Sequence, residues 1–111
     1  VIKRVVLLRK RPEITIAEFE AHWCGPHADL VQQLPNLRGF RVNLVESWAP
    51  EECAWDGIGE VWFDDAADVK AAYESEPLAR ALAEDRARFA TRDGQVGLAR
   101  EVTIVPPRAV I

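Results

Sequence analysis

What most constrains the fold is a helical stripe in residues 15–34 (TIAEFEAHWCGPHADLVQQL) that is interrupted in its middle by Gly25-Pro26. Thr15 followed by Glu18 has capping-box spacing: the hydroxyl takes a free amide of the first turn and the glutamate reaches back to the amide of the cap. A helix is therefore expected from about Ile16. At roughly 100° per residue, Ile16, Phe19, Trp23, His27, Leu30 and Leu34 fall within one sector, provided the helical phase survives Gly25-Pro26. Proline removes a helical hydrogen bond unless it stands in a first turn, so the helix must bend or restart there. The only two histidines of the chain both lie in this stretch. His27 belongs to the buried stripe; His22 and Cys24, each one residue from Trp23, project to its sides, where a side chain is usually half exposed.

The segments around this helix alternate in type. Residues 2–9 (IKRVVLLR) form a β-branched apolar run too short for a helix, expected as a strand covered on both faces. Pro35-Asn36 closes the helical region, and residues 38–46 read as a second strand. Ser47–Asp56 has no period and contains two of the four tryptophans, which marks it as a loop suited to a lid or a subunit contact. Residues 57–63 (GIGEVWF) form a third strand, with Ile58, Glu60 and Trp62 on one face and Val61 and Phe63 on the other. Asp64 or Asp65 caps a second helix through about Glu74, and Pro77 opens its continuation, where Leu78, Leu82, Asp85 and Phe89 keep helical spacing. Val96–Val105 is expected as a fourth strand, stopped by Pro106-Pro107. The order β-α-β-β-α-β is that of a ferredoxin-like α+β domain, one domain over residues 1–111.

Composition removes several functions. A net charge of −4 and a pI near 5.2 argue against nucleic acid or an anionic membrane as partner. The basic cluster Arg9-Lys10-Arg11 is expected to be a solvated strand exit. No apolar run approaches the ~20 residues that span a bilayer, and Val5–Leu8 is too short for a signal-peptide core. A cytoplasmic location is expected, with Cys24 and Cys53 as free thiols. No glycine-rich phosphate loop is present. Zinc is not expected either, because Cys24, His27 and His22 lack a fourth ligand nearby. Trp23-Cys24-Gly25-Pro26 looks like a thioredoxin active-site turn, but it follows a capped helix instead of a buried strand and lacks the resolving thiol.

A broader match resembles the EthD family of the dimeric α+β barrels. It is carried by Leu8-Arg-Lys-Arg-Pro12, the Thr15–Phe19 helix start, Trp23 and His27 separated by three residues, Leu34-Pro-Asn-Leu-Arg-Gly-Phe40, Asp56-Gly-Ile-Gly-Glu-Val-Trp-Phe-Asp64, and Asp85 with Phe89. The resemblance implies a four-stranded antiparallel sheet packed on a partner's sheet in a homodimer, with a pocket between each sheet and its own helices. Relatives of this type include cofactor-free monooxygenases, lactone isomerases, cyclases and dehydratases; haem ligation by His27 is a rival from the same superfamily. Phe40 stands where such proteins often have tyrosine, and Leu44 where some place a second histidine.

Imidazole titrates near neutrality and can act as acid or base, so His27 is the expected proton-transfer group, and a position after Pro26 at a restarted helix end would favour its neutral form. Asp85 on an apolar stripe needs a partner: it could orient His27, pair with Arg38 or Arg86, or cap a loop. The resemblance implies Trp23, Phe40 and Trp62 as substrate-binding pocket walls, which would otherwise be core fillers; Glu60 is a further substrate-binding candidate or else an interface or solvent-facing charge, and His22 is expected to be dispensable. Two readings follow. One is an enzyme without cofactor or metal that acts on a small apolar carbonyl, lactone or phenolic compound, as an oxidoreductase of monooxygenase type or as an isomerase or cyclase. The other is a binding or accessory protein using the same pocket without turnover.

Overall fold

The computed structural model describes residues 1–46 and 53–109. Four strands, β1 (Ile2–Leu8), β2 (Gly39–Leu44), β3 (Gly57–Phe63) and β4 (Gln95–Ala99), form one antiparallel sheet in the order β2-β3-β1-β4. Among the described residues four helices, α1 (Ile16–His22), α2 (Ala28–Val31), α3 (Ala66–Tyr73) and α4 (Leu78–Phe89), lie on one side of it. This is the ferredoxin-like α+β arrangement. Most of the Ser47–Asp56 loop, including Trp48, lies outside the described residues.

The capping box forms as the spacing demands: Glu18 N donates to Thr15 Oγ1 at 3.1 Å and Thr15 N donates to Glu18 Oε1 at 3.0 Å. Beyond α1 the helix neither bends sharply nor restarts. It widens into a π-helical turn over Trp23–His27 and runs on into α2, so that Pro26, which has no N–H to contribute, sits inside a loosened turn. The wide turn also alters the stripe. Phe19, Trp23, His27 and Val31 are buried at successive steps of four; in an ideal α-helix each such step would drift by about 40°. Val31 thereby takes the buried place expected for Leu30, which is only half-buried, and Ile16 is exposed. Asn36 ends the helical region with a φ of 63°, a left-handed turn conformation that asparagine tolerates.

The alternation in β3 is strict: Gly57, Gly59, Val61 and Phe63 are buried, and Ile58, Glu60 and Trp62 are half-buried. The two glycines face the helices and leave a slot that the Trp23 indole fills. A Cβ on Gly57 would lie 2.3 Å from Trp23 Cζ3, and one on Gly59 would lie 2.9 Å from Trp23 Cζ2. The fourth strand is shorter than Val96–Val105. Its ladder on β1 ends with Lys3 opposite Ala99, where β1 has almost run out of residues to pair, and Val102, Ile104 and Val105 are left exposed.

The tryptophan slot predicts an asymmetry between glycines. Gly57→Ala should destabilise by about 1–3 kcal/mol, the usual cost of overpacking a filled core. Gly97→Ala, where an added methyl meets nothing within 4 Å, should change little, and urea unfolding of the two variants measures the difference.

Candidate active site

The π turn places His27 on the floor of the helical layer, facing β1 and β3, while α4 brings Asp85 against it. Both residues are only 8 % exposed. His27 Nδ1 lies 2.8 Å from Asp85 Oδ2, and His22 Nε2 lies 3.1 and 3.0 Å from Asp85 Oδ1 and Oδ2. The carboxylate is acceptor only, so it fixes the proton of His27 on Nδ1 and that of His22 on Nε2. The helical spacing that puts Leu82, Asp85 and Phe89 on one face of α4 also sets the Phe89 ring against both imidazoles, with centroid distances of 5.0 Å to His27 and 5.1 Å to His22.

Burial is the largest influence on His27 and pushes its pKa below the ordinary histidine value, although the Asp85 hydrogen bond and charge pull it back. Neutrality of His27 thus comes from burial, and not from a restarted helix end. For Asp85, burial alone would raise the pKa, but the hydrogen bonds from His27 and His22 outweigh it and hold the carboxyl below its usual range. An ionised carboxylate and a neutral imidazole therefore stand together near pH 7.

A cavity of about 290 Å³ lies between the sheet and the helices. His27 lines it together with the apolar walls Val6, Trp23, Phe40, Val61 and Leu82. With Nδ1 held by Asp85, the lone pair of the neutral ring is on Nε2. That atom has no hydrogen-bond partner among the described residues, where no buried polar side-chain atom is left without one, so Nε2 is accessible.

Of the residues expected at the site, His27, Trp23 and Phe40 line the cavity, and Asp85 supports His27 from behind. Trp62 does not. It projects from the sheet face opposite the helices, over Gly39 and between Lys3 and Arg41, whose cationic groups lie 5.5 and 5.2 Å from its ring. Glu60 borders the cavity, but its carboxylate belongs to that opposite face as well, accepting from Lys3 Nζ at 2.9 Å and Asn43 Nδ2 at 3.1 Å. These bonds hold its pKa below the usual range. The alternation separating Glu60 and Trp62 from Val61 is as expected; the side on which the helices pack is the reverse of what a substrate role for the two residues needs. His22, expected to be dispensable, shares Asp85 with His27, and neither Arg38 nor Arg86 pairs with Asp85: Arg38 binds Asp64 instead, at 3.0 Å.

Three polar side chains line the cavity beyond those expected there: Arg4, Tyr73 and Arg86, the last expected only as a possible partner of Asp85. The guanidinium carbon of Arg4 lies 3.9 Å from the Tyr73 ring centroid. A signal for Arg4 exists, since it shares the period-two face of β1 with Ile2, Val6 and Leu8, an odd place for a charge unless that face borders a polar site. Cys24 and Cys53 are exposed free thiols, and among the described residues no group of three His, Cys, Asp or Glu side chains is arranged to hold a metal ion. Among the described residues no helix is long and apolar enough to cross a membrane.

A four-stranded sheet with one helical layer and a histidine-bearing pocket between them defines a small ferredoxin-like α+β domain. The EthD domain model matches residues 11–93, and the chain belongs to the EthD family. It is 26 % identical over 103 residues to an uncharacterised 11.0 kDa protein in the thcB-thcC intergenic region of Rhodococcus erythropolis, covering 93 % of this chain and 98 % of that one. Among solved structures it is similar to an EthD family protein from Bacillus halodurans (TM-score 0.75, 22 % identity, 92 % and 100 % of the two chains). It is also similar to SnoaB, a cofactor-independent oxygenase from Streptomyces nogalater (TM-score 0.68, 16 % identity, 96 % and 97 %). A dimeric protein of ferredoxin-like fold from Bacteroides fragilis shares the architecture too (TM-score 0.64, 20 % identity, 90 % and 95 %). At these identities the structural likeness speaks for the fold alone.

Two measurements follow from the electrostatics. Asp85→Ala should destabilise the protein by about 1–3 kcal/mol, because it leaves the His27 N–H unpaired in a buried site, whereas Glu84→Ala, at an exposed position one residue away, should have little effect on urea unfolding. Stability should also fall on acidification in two stages. His27 has a lowered folded pKa, so below about pH 6.5 the unfolded chain binds more protons than the folded one and stability declines. Asp85, also lowered, contributes stability above the ordinary carboxylate range that is lost as pH falls through its folded pKa. Thermal unfolding midpoints recorded from pH 7.5 to 3 should show both stages, and His27→Gln should flatten the first.

Proposed function

We propose that this protein is an enzyme that works without a cofactor, using His27 as general base on a small, largely apolar carbonyl, lactone or phenolic compound. The observation that carries this reading is the Asp85–His27 pair at 2.8 Å with Nε2 accessible at an aromatic-walled cavity. Proton abstraction by Nε2 makes His27 an imidazolium, and the Asp85 carboxylate, already bonded to Nδ1, stabilises the charge that appears. The substrate becomes an enolate or phenolate, the common precursor of oxygenation, isomerisation and dehydration. His22 acts through Asp85: its second hydrogen bond orients the carboxylate toward His27. Trp23 and Phe40 hold the apolar body of the substrate.

The working unit is a homodimer formed through the sheet face that carries Val5, Leu7, Ile58 and Trp62. These apolar side chains are only half-buried, with the helices of the described residues on the other face, and half-buried apolar side chains on an open sheet face favour a cover. The dimeric Bacteroides protein with the same fold supports this assembly. Sedimentation equilibrium at micromolar concentration should give twice the 12.5 kDa chain mass; a monomer alone would remove the barrel.

Catalysis is tested by solvent-deuterium incorporation into 2-tetralone, an enolisable aromatic ketone, followed by NMR, and by oxygen uptake with an anthrone. The native protein should accelerate at least one of these over buffer. His27→Gln should lower the rate by about 10²–10⁴-fold, the usual loss on removing a general base, with the fold intact by circular dichroism. His22→Gln should cause a smaller loss. A rate unchanged in His27→Gln would end the catalytic role and leave a ligand-binding protein.

A further inference from the structure

The charges around the cavity do not balance. Among the described residues, Lys3 pairs with Glu60 and Glu101, Arg9 with Asp93, Arg11 with Glu13, Arg38 with Asp64 and Lys70 with Glu74. Arg4 and Arg86, the two cations that line the cavity, take part in no ion pair among them. Both are half-buried, on the covered side of the sheet, where a single guanidinium without a counter-ion is already unfavourable. Of the carboxylates at or next to the cavity, that of Asp85 is occupied by two imidazoles, and that of Glu60 is committed to Lys3 and Asn43 on the opposite face. Burial first, and the charge of Arg4 second, push the pKa of Arg86 below the ordinary arginine value.

Arg4 stacks on Tyr73 at 3.9 Å, and the Arg86 guanidinium lies beside Gly94, whose lack of a Cβ leaves it room. Arginine presents a planar fork of donors that matches a carboxylate.

We infer that the cavity recognises a small organic carboxylate, its anionic group held by Arg4 and Arg86 and its ring or short apolar chain by Trp23, Phe40, Val61 and Leu82. The volume of about 290 Å³ admits a compact ring-bearing ligand, being close to the lower end of the ~300–1,000 Å³ of ligand pockets. This inference rests on the cavity being the substrate site and narrows its substrate class.

The test compares two probes of nearly equal shape, 4-methylbenzoate and neutral 4-methylbenzamide, by calorimetry and by NMR shifts of the Gly59 amide and the His27 ring. The acid should bind about tenfold or more tightly than the amide, as expected for charge-assisted hydrogen bonds. Arg4→Gln and Arg86→Gln should each erase most of that preference while leaving the amide unaffected, and Arg86→Lys should retain part of it. Circular dichroism melts check that the variants fold; if Arg86→Gln does not, Arg4→Gln and Arg86→Lys decide. Equal binding of acid and amide, a preference that survives in both Gln variants, or failure of both probes to shift the cavity signals would overturn the inference. His27→Gln should keep the preference, since binding needs no proton transfer. Lost selectivity with His27-dependent exchange intact overturns the carboxylate inference alone, and selectivity without His27-dependent turnover overturns the catalytic reading alone.

Discussion

The contact on which the structure depends is the indole of Trp23 lying on the bare backbone of Gly57 and Gly59. With no Cβ on that side of β3, the helix approaches the sheet closely, and the indole becomes the centre of an aromatic cluster with Phe19 at 5.3 Å and Phe89 at 6.1 Å. The site inherits its geometry from this contact. His27 is one wide turn after Trp23, so seating the indole decides where the imidazole emerges, and the π turn that accommodates Pro26 keeps both residues on the sheet side. A regular α-helix would have rotated successive steps of four away from the sheet. π turns are often found at functional sites, and here the physical reason is visible: the irregularity aims a polar side chain while the apolar stripe on either side stays buried.

Asp85 is the second organising element. A lone carboxylate in this position would be costly, and the protein offsets that cost with two imidazoles instead of an arginine. The choice has a chemical consequence. An Arg–Asp pair would be inert, since neither member titrates near neutrality, whereas Asp–His leaves a basic nitrogen on the far side of the ring. Stability and reactivity are linked through one group: the hydrogen bond that satisfies Asp85 also sets the tautomer of His27.

The two faces of the sheet divide the electrostatic work. On the open face, cations and carboxylates neutralise one another around Trp62, with Lys3 bridging Glu60 and Glu101. On the helical face, arginines remain without carboxylate partners beside a neutral imidazole. A fold shared with an oxygenase and with dimeric proteins of unknown function does not choose a reaction.

Much of this was legible in the sequence. The Thr15–Glu18 box starts a helix by local hydrogen bonds alone, Asp65 caps α3 by the same means, and the period of two in GIGEVWF separates Val61 and Phe63 from Glu60 and Trp62 wherever the strand lies. His27 and Asp85 could be recognised as polar interruptions of apolar stripes, which is a local property. The tertiary structure decided what periodicity leaves open. A period of two says that residues share a face but not which face the helices cover, so Trp62 went to the open side and Phe40 to the pocket. The length of β4 depended on where its neighbour β1 ends, and the partners of Asp85 on how α1 and α4 pack. Arg4, Tyr73 and Arg86 come from a strand and two helices well separated in the chain; their meeting at one cavity is a product of packing, to which no single segment is sensitive.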